Sequence, residues 1–96
     1  QRHRASLDKI MVEVCRHFLL EEKDFRVLGK DRNLSEARGV AAWLVLELGV
    51  CTLGELGGRT GRDPSTLSSA AKRLQIRSKT DLKLAERMKG LLEAVF

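Results

Sequence analysis

The stretch Gly61-Arg62-Asp63-Pro64-Ser65-Thr66-Leu67-Ser68-Ser69-Ala70 gathers the side chains best suited to reading a polar surface. It predicts a tight turn at Gly61 and a helix that starts at Pro64. Asp63 is a good N-cap, because its carboxylate can accept from the unpaired amides of the first turn. Pro64 falls at the first helical position, where a missing N–H costs nothing. Ser65, Thr66, Ser68 and Ser69 then present short hydroxyl side chains at an open helix tip. Such a tip can enter a DNA major groove, where the hydroxyls bond base edges and the Thr66 methyl touches a thymine methyl. Asp63 can also accept from a cytosine amino group, so capping and base reading are both open to it. Arg62 is a long donor beside the tip, within reach of guanine or a phosphate. Lys72, Arg73 and Arg77 lie further along the helix and suit phosphates, which give affinity without reading sequence. The amides of Ser65 and Thr66 can hold a phosphate at the positive end of the helix.

A reading tip needs a partner helix and a core behind it. Residues 52–76 have helix-turn-helix spacing. Thr52 caps a short helix to Thr60, with Leu53 and Leu56 facing inward. Gly57 and Gly58 are poor helix formers and make sense if another helix packs close against that face. Gly61 makes the turn, and Leu67 and Ala70 pin the second helix. That helix runs to about Gln75, with Ala71 and Leu74 completing its inner stripe. Leu34 to Leu48 is apolar nearly all round, as a buried central helix is. Ser35 is its expected N-cap, Arg38 lies at its exposed edge, and Gly49 ends it. Trp43 and Leu46 form a second apolar stripe on it. Trp43 suits the core better than base stacking, since no other exposed aromatic accompanies it.

The flanks follow the same pattern. Gln1 to Ala5 are a flexible basic end. From Ser6, an N-cap, the residues Leu7, Ile10, Met11, Val14, Cys15 and Phe18 recur at helical spacing. Glu21 to Leu28 reads as a short helix or turn, with Phe25 and Leu28 inward. Gly29-Lys30-Asp31-Arg32-Asn33 has no apolar residue and reads as an exposed basic loop. It is either a solvated connector or an arm to phosphates or the minor groove. Asp81 opens a last helix with Leu84, Met88, Leu91, Leu92 and Val95 inward. The expected fold is all-α, about five or six helices in one domain over residues 6–96.

Composition narrows the function. The 96 residues carry a net charge of +5, which favours polyanionic partners, nucleic acid first. Cys15 and Cys51 have no metal-type spacing and read as reduced thiols in a cytosolic protein. No nucleotide loop, nucleophile–base set or metal-ligand cluster stands out, so neither catalysis nor a cofactor is expected. No run approaches the length of a membrane span. The chain starts at Gln1, which suggests a domain of a longer protein. The alternative to DNA binding is a helical module that contacts protein partners only.

Arg62-Asp63-Pro64-Ser65-Thr66-Leu67-Ser68-Ser69-Ala70 resembles the signature of the C-terminal DNA-binding domain of the bacterial replication initiator DnaA, Gly-Arg-Asp-His-(Ser/Thr)-Thr-Val-x-x-Ala. Arg38-Gly39-Val40-Ala41-Ala42-Trp43-Leu44 and Thr52-Leu53-Gly54-Glu55-Leu56-Gly57 resemble two further segments of it, so the likeness runs from Ser6 to about Leu74. The resemblance implies an all-helical fold on duplex DNA, with the helix-turn-helix in the major groove and the basic loop in the minor groove. By position it implies Arg32 as the minor-groove residue, with Lys30 and Arg38 on nearby backbone. Two departures stand out. Pro64 replaces the family's base-reading His, and Asp31 and Glu36 dilute the family's basic loop. They imply a different recognition site or looser specificity. The Arg-Asp-x-Ser-Thr-Leu-Ser-Ser-Ala form, followed by a basic stretch and Asp81-x-x-Leu84, looks more like the initiator-like C-terminal domain attached to some REP-associated tyrosine transposases. Either parent implies a bacterial, cytoplasmic, nucleoid-associated protein.

Overall fold

Ser6 starts the first helix, accepting from the Lys9 N–H at 3.2 Å. The computed structural model describes residues 6–26 and 32–95. Helix α1, Leu7–Phe18, turns Ile10, Met11, Val14 and Phe18 into the core. It ends at Leu19, which takes a left-handed φ of 59°. A 3-10 helix, Glu22–Arg26, follows and buries Phe25 completely. This is the short element expected over Glu21 to Leu28. Leu28 and Lys30 lie outside the described residues, as do Gln1 to Ala5.

Helix α2, Arg32–Leu48, supplies the centre of the core. Two expectations about its start are corrected. Arg32 and Asn33 belong to the helix rather than to a loop, and Ser35 sits inside it rather than capping it. A long-range contact accounts for the earlier start: the Asn33 amide Nδ2 donates to the Phe18 carbonyl at 3.0 Å, tying the first turn of α2 to the end of α1. Arg38 is the third correction, because it is only 7% exposed. Its Nε and Nη2 both donate to the Phe25 carbonyl, at 3.2 and 3.0 Å. The guanidinium thus fastens the 3-10 helix to α2. Trp43 is half-buried against the core, whereas Leu46, expected in a second inward stripe, is 54% exposed. Gly49 closes the helix with a φ of 63°.

Helix α3 is Leu53–Thr60, α4 is Pro64–Ser78 and α5 is Leu82–Val95. Helix α4 runs one turn beyond the expected end at Gln75. It packs chiefly on α2, and α5 closes the bundle against α1 and α4. Gly39 sits at the α2–α4 crossing, where a Cβ would come within 2.5 Å of Leu74 Cδ1. Asp81 Oδ1 caps α5 by accepting from the Leu84 N–H at 3.1 Å. Glu36 of α2 pairs with Arg77 of α4 at 2.8 Å and with Arg87 of α5, so one carboxylate joins three helices. Among the described residues the fold is all-α, with five α-helices, one 3-10 helix and no strand. No helix among them is long and apolar enough to cross a membrane. Both cysteines are free, and burial pushes their thiols up from the usual range.

Candidate nucleic-acid interface

Local chemistry shapes the turn between α3 and α4. Thr52 and Glu55 cap α3 reciprocally: the Glu55 N–H donates to Thr52 Oγ1 at 3.1 Å, and the Thr52 N–H donates to Glu55 Oε1 at 3.1 Å. Leu56 is fully buried beneath it, and the buried Thr60 hydroxyl donates back to the Leu56 carbonyl at 3.0 Å. Gly61 takes a left-handed φ of 71°, and its N–H donates to the Gly57 carbonyl at 2.7 Å. That conformation favours glycine. Gly57 allows the chain to double back: a Cβ there would stand 2.5 Å from the Arg62 carbonyl oxygen and 3.8 Å from Pro64 Cδ. The close neighbour is therefore the returning backbone rather than a crossing helix. Gly58 has open space where its Cβ would be, so the expected close packing holds for Gly57 alone.

Asp63 caps α4 with Oδ2, accepting from the Ser65 N–H at 3.0 Å and from the Ser65 hydroxyl. These bonds hold its carboxyl below the usual carboxylate range. Capping thus occupies the Ser65 amide and hydroxyl, two groups expected to face a ligand. Pro64 is the first helical residue and is exposed. Thr66, Ser68, Ser69, Lys72 and Arg73 are all exposed along α4, while Leu67, Ala71 and Leu74 face the core. Arg62, half-buried, precedes the cap.

Two arginines outside α4 brace this turn. Arg26 of the 3-10 helix donates through Nη2 to the Gly58 carbonyl, and its side chain lies 3.5 Å from where a Gly61 Cβ would be. Arg59 grips Glu22 with Nε and Nη2, both at 2.7 Å, and Asp8 with Nη1 at 2.9 Å. The Arg59 guanidinium beside Glu22 holds that carboxyl below its usual range, and the two acids push the Arg59 pKa up. The sequence pattern did not single out Arg26 or Arg59, because each acts on a residue more than a helix away.

Helices α2 and α4 bring two sequence-distant cations together. Arg32, Arg73 and Arg77 line a groove of about 480 Å³ with Ser35, Glu36 and Ile76. Arg32 and Arg73, taken from separate candidate segments, thus share one cleft. Arg77 is drawn to Glu36 and, at 4.0 Å, to Asp81, rather than standing alone for phosphate. Arg38, expected on the backbone side of a ligand, is instead turned inward to Phe25. Burial lowers its pKa, with Arg62 contributing.

Residues 7–74, which hold this turn, α3, α4 as far as Leu74, and both Arg32 and Arg73 of the groove, match the family described as the bacterial DnaA protein helix-turn-helix. The chain belongs to this family. It is 28% identical over 86 residues to the chromosomal replication initiator protein DnaA of Caldanaerobacter subterraneus subsp. tengcongensis. It is 27% identical over 86 residues to the proteins of the same name in a Thermoanaerobacter species and in Thermoanaerobacter pseudethanolicus. Each alignment covers 90% of this chain and 19% of the relative, so the chain spans about a fifth of the length of these curated relatives. The resemblance to the DnaA C-terminal domain, drawn from the motifs alone, is borne out. The family match ends at Leu74, whereas the alignments with the curated relatives, over 86 of the 96 residues, run on past Arg77 into α5.

Proposed function

We propose that this chain binds double-stranded DNA with some sequence preference, as the targeting domain of a longer replication-initiator-related or transposase-related protein. The observation that carries the reading is the α3–α4 turn. A left-handed Gly61 and an Asp63 cap lead into a helix whose tip shows Pro64 and short hydroxyl side chains and whose flank is basic. In this reading the N-terminal half of α4 enters the major groove. Thr66, Ser68 and Ser69 meet base edges, and Asp63 and Ser65 act as a hydrogen-bonded pair that sets the angle of entry. Pro64 gives the tip an apolar contact where a His would donate, which fits a recognition sequence of its own. Arg62, Lys72 and Arg73 neutralise phosphates. Arg32, across the cleft from Arg73, reaches the adjacent minor groove, with Lys30 just before it in sequence. Arg38 positions the 3-10 helix and touches no DNA. The reading gives this domain no catalytic step and places the protein at the nucleoid, in the cytoplasm.

Fluorescence anisotropy with labelled duplex DNA across a salt series tests it. Each phosphate neutralised should lower log K by about 0.9 per decade of salt. A flat salt response, or no binding at low salt, overturns DNA binding. Arg32→Ala should weaken binding most on duplexes with A·T-rich flanks, because a narrow minor groove concentrates negative potential. An equal loss on every duplex would reduce Arg32 to a phosphate contact.

A further inference from the structure

The basic character of the chain does not extend over its whole surface. Between the C-terminal half of α2 and α5 lie two hollows of about 320 and 280 Å³ that share Glu47 and Leu92 in their walls. Trp43, Leu48 and Met88 supply further apolar wall. In the smaller hollow the charged groups are Glu47 and Glu93, and in the larger one Glu47 and Lys89. Most carboxylates in the described chain are engaged. Asp8, Glu13, Glu21, Glu22, Glu36 and Asp81 meet cations. Asp24, Glu55 and Asp63 accept backbone hydrogen bonds. Among the described residues, only Glu47, Glu86 and Glu93 have neither kind of partner. Two of these three line this one trough, on a chain of net charge +5.

Unpaired carboxylates beside half-buried apolar side chains are poorly placed for DNA and well placed for a cationic, apolar ligand. A trough between two helices fits a third helix, whose apolar stripe fills the hollows while flanking cations meet the acids. We propose that the trough between α2 and α5 docks a basic amphipathic helix of a partner protein, with Trp43, Leu48 and Leu92 taking its apolar face and Glu47 and Glu93 its Lys or Arg side chains. The face is distinct from the reading tip. Its α4 residues, Gln75 and Ser78, lie towards the C-terminal end of that helix, about 9 Å or more along the axis from the tip residues Pro64 to Ser69.

Trp43 is the only tryptophan in the sequence, so its emission reports occupancy of the trough directly. The probe is an Ala-rich helical peptide of about 15 residues with leucines at i, i+3, i+4 and i+7 and lysines beside them. Its counterpart carries glutamates in place of the lysines. Titrated into the intact chain, the lysine peptide should shift Trp43 emission to the blue and saturate. The glutamate peptide should bind at least about tenfold more weakly. E47K and E93K should each weaken the lysine peptide several-fold and leave duplex DNA affinity no lower than before. E86K, which reverses the unpaired acid outside the trough, should leave peptide binding unchanged. The proposal fails if Trp43 does not respond, if the two peptides bind alike, or if E86K weakens binding as much as E47K. It also fails if sedimentation shows the trough already filled by a second copy of the chain.

Discussion

The α3–α4 turn and the corner where the 3-10 helix meets α2 both support the proposed DNA face, yet they are held in opposite ways. The turn takes its shape from local bonds, with Arg26 and Arg59 bracing it from outside. Thr52 with Glu55, Gly57 with Gly61, and Asp63 with Ser65 each act across two to four residues. The corner is almost wholly long-range. Phe25 is buried among helices distant in sequence, Arg38 reaches back to its carbonyl, and Asn33 reaches back to Phe18. A local device shapes its segment wherever the segment lies. A long-range one works only once the core has formed, so damage to it should spread further.

The largest effect is therefore expected at the corner. Phe25 is fully buried, and Phe25→Ala should cost about 3–5 kcal/mol through lost transfer energy and the cavity left behind. Urea denaturation should show a lower midpoint, and hydrogen exchange should rise over the first turns of α2 as well as in the 3-10 helix. Exchange confined to residues 22–26 would show that the corner is as local as the turn.

Gly57 and Gly58 give a sharper contrast within the turn itself. In an open helix, Gly→Ala gains up to about 1 kcal/mol. Gly58→Ala should show that gain, since nothing lies near its added Cβ. Gly57→Ala sets the same Cβ 2.5 Å from the Arg62 carbonyl, a backbone atom that cannot swing aside. Overpacking of this kind costs about 1–3 kcal/mol and should shift the angle of α4. The two variants should thus differ in sign by thermal melting, and only Gly57→Ala should weaken DNA binding. Equal melting temperatures would mean that the turn tolerates a wider crossing.

The same division explains what the sequence made legible. Caps, the left-handed glycine and the apolar stripes are written at fixed short spacings, so α1, α3, α4 and the turn could be placed from residue types alone. Arg38 could not. A lone Arg at the edge of an apolar helix looks like a surface residue, and nothing near it in sequence marks the Phe25 carbonyl as its partner. Arg32 looked like part of a loop because the contact that extends α2 comes from Asn33 to another helix. The Arg32–Arg73 cleft was half legible: both cations were singled out, but only packing of α2 on α4 brings them to one groove. Leu46 failed for the opposite reason. Its type predicts burial, but the neighbouring helices cover only part of the α2 circumference.

The Arg59 cluster tests the comparison most gently, because it is long-range yet lies at the surface. The Glu22 and Asp8 side chains are 45% and 83% exposed, so solvent screens the pairs and their worth is at most about 1 kcal/mol. Its sign is fixed by the Arg59 hydrogen bonds, which hold the Glu22 carboxyl below its unfolded value. Stability from this source is present above the usual glutamate range, near pH 4.3, and is lost as pH falls through the lower folded value. Asp63 is shifted the same way by its bonds to Ser65, so the native chain should lose stability on both accounts in acid. Glu22→Gln should lower the urea midpoint slightly at pH 7 and flatten the acid limb, leaving the part due to Asp63. Raising salt at neutral pH should shrink the difference between the native chain and the variant, since screening weakens the exposed pair. A difference that survives high salt would place the long-range character of the cluster in its bidentate geometry rather than in its charge.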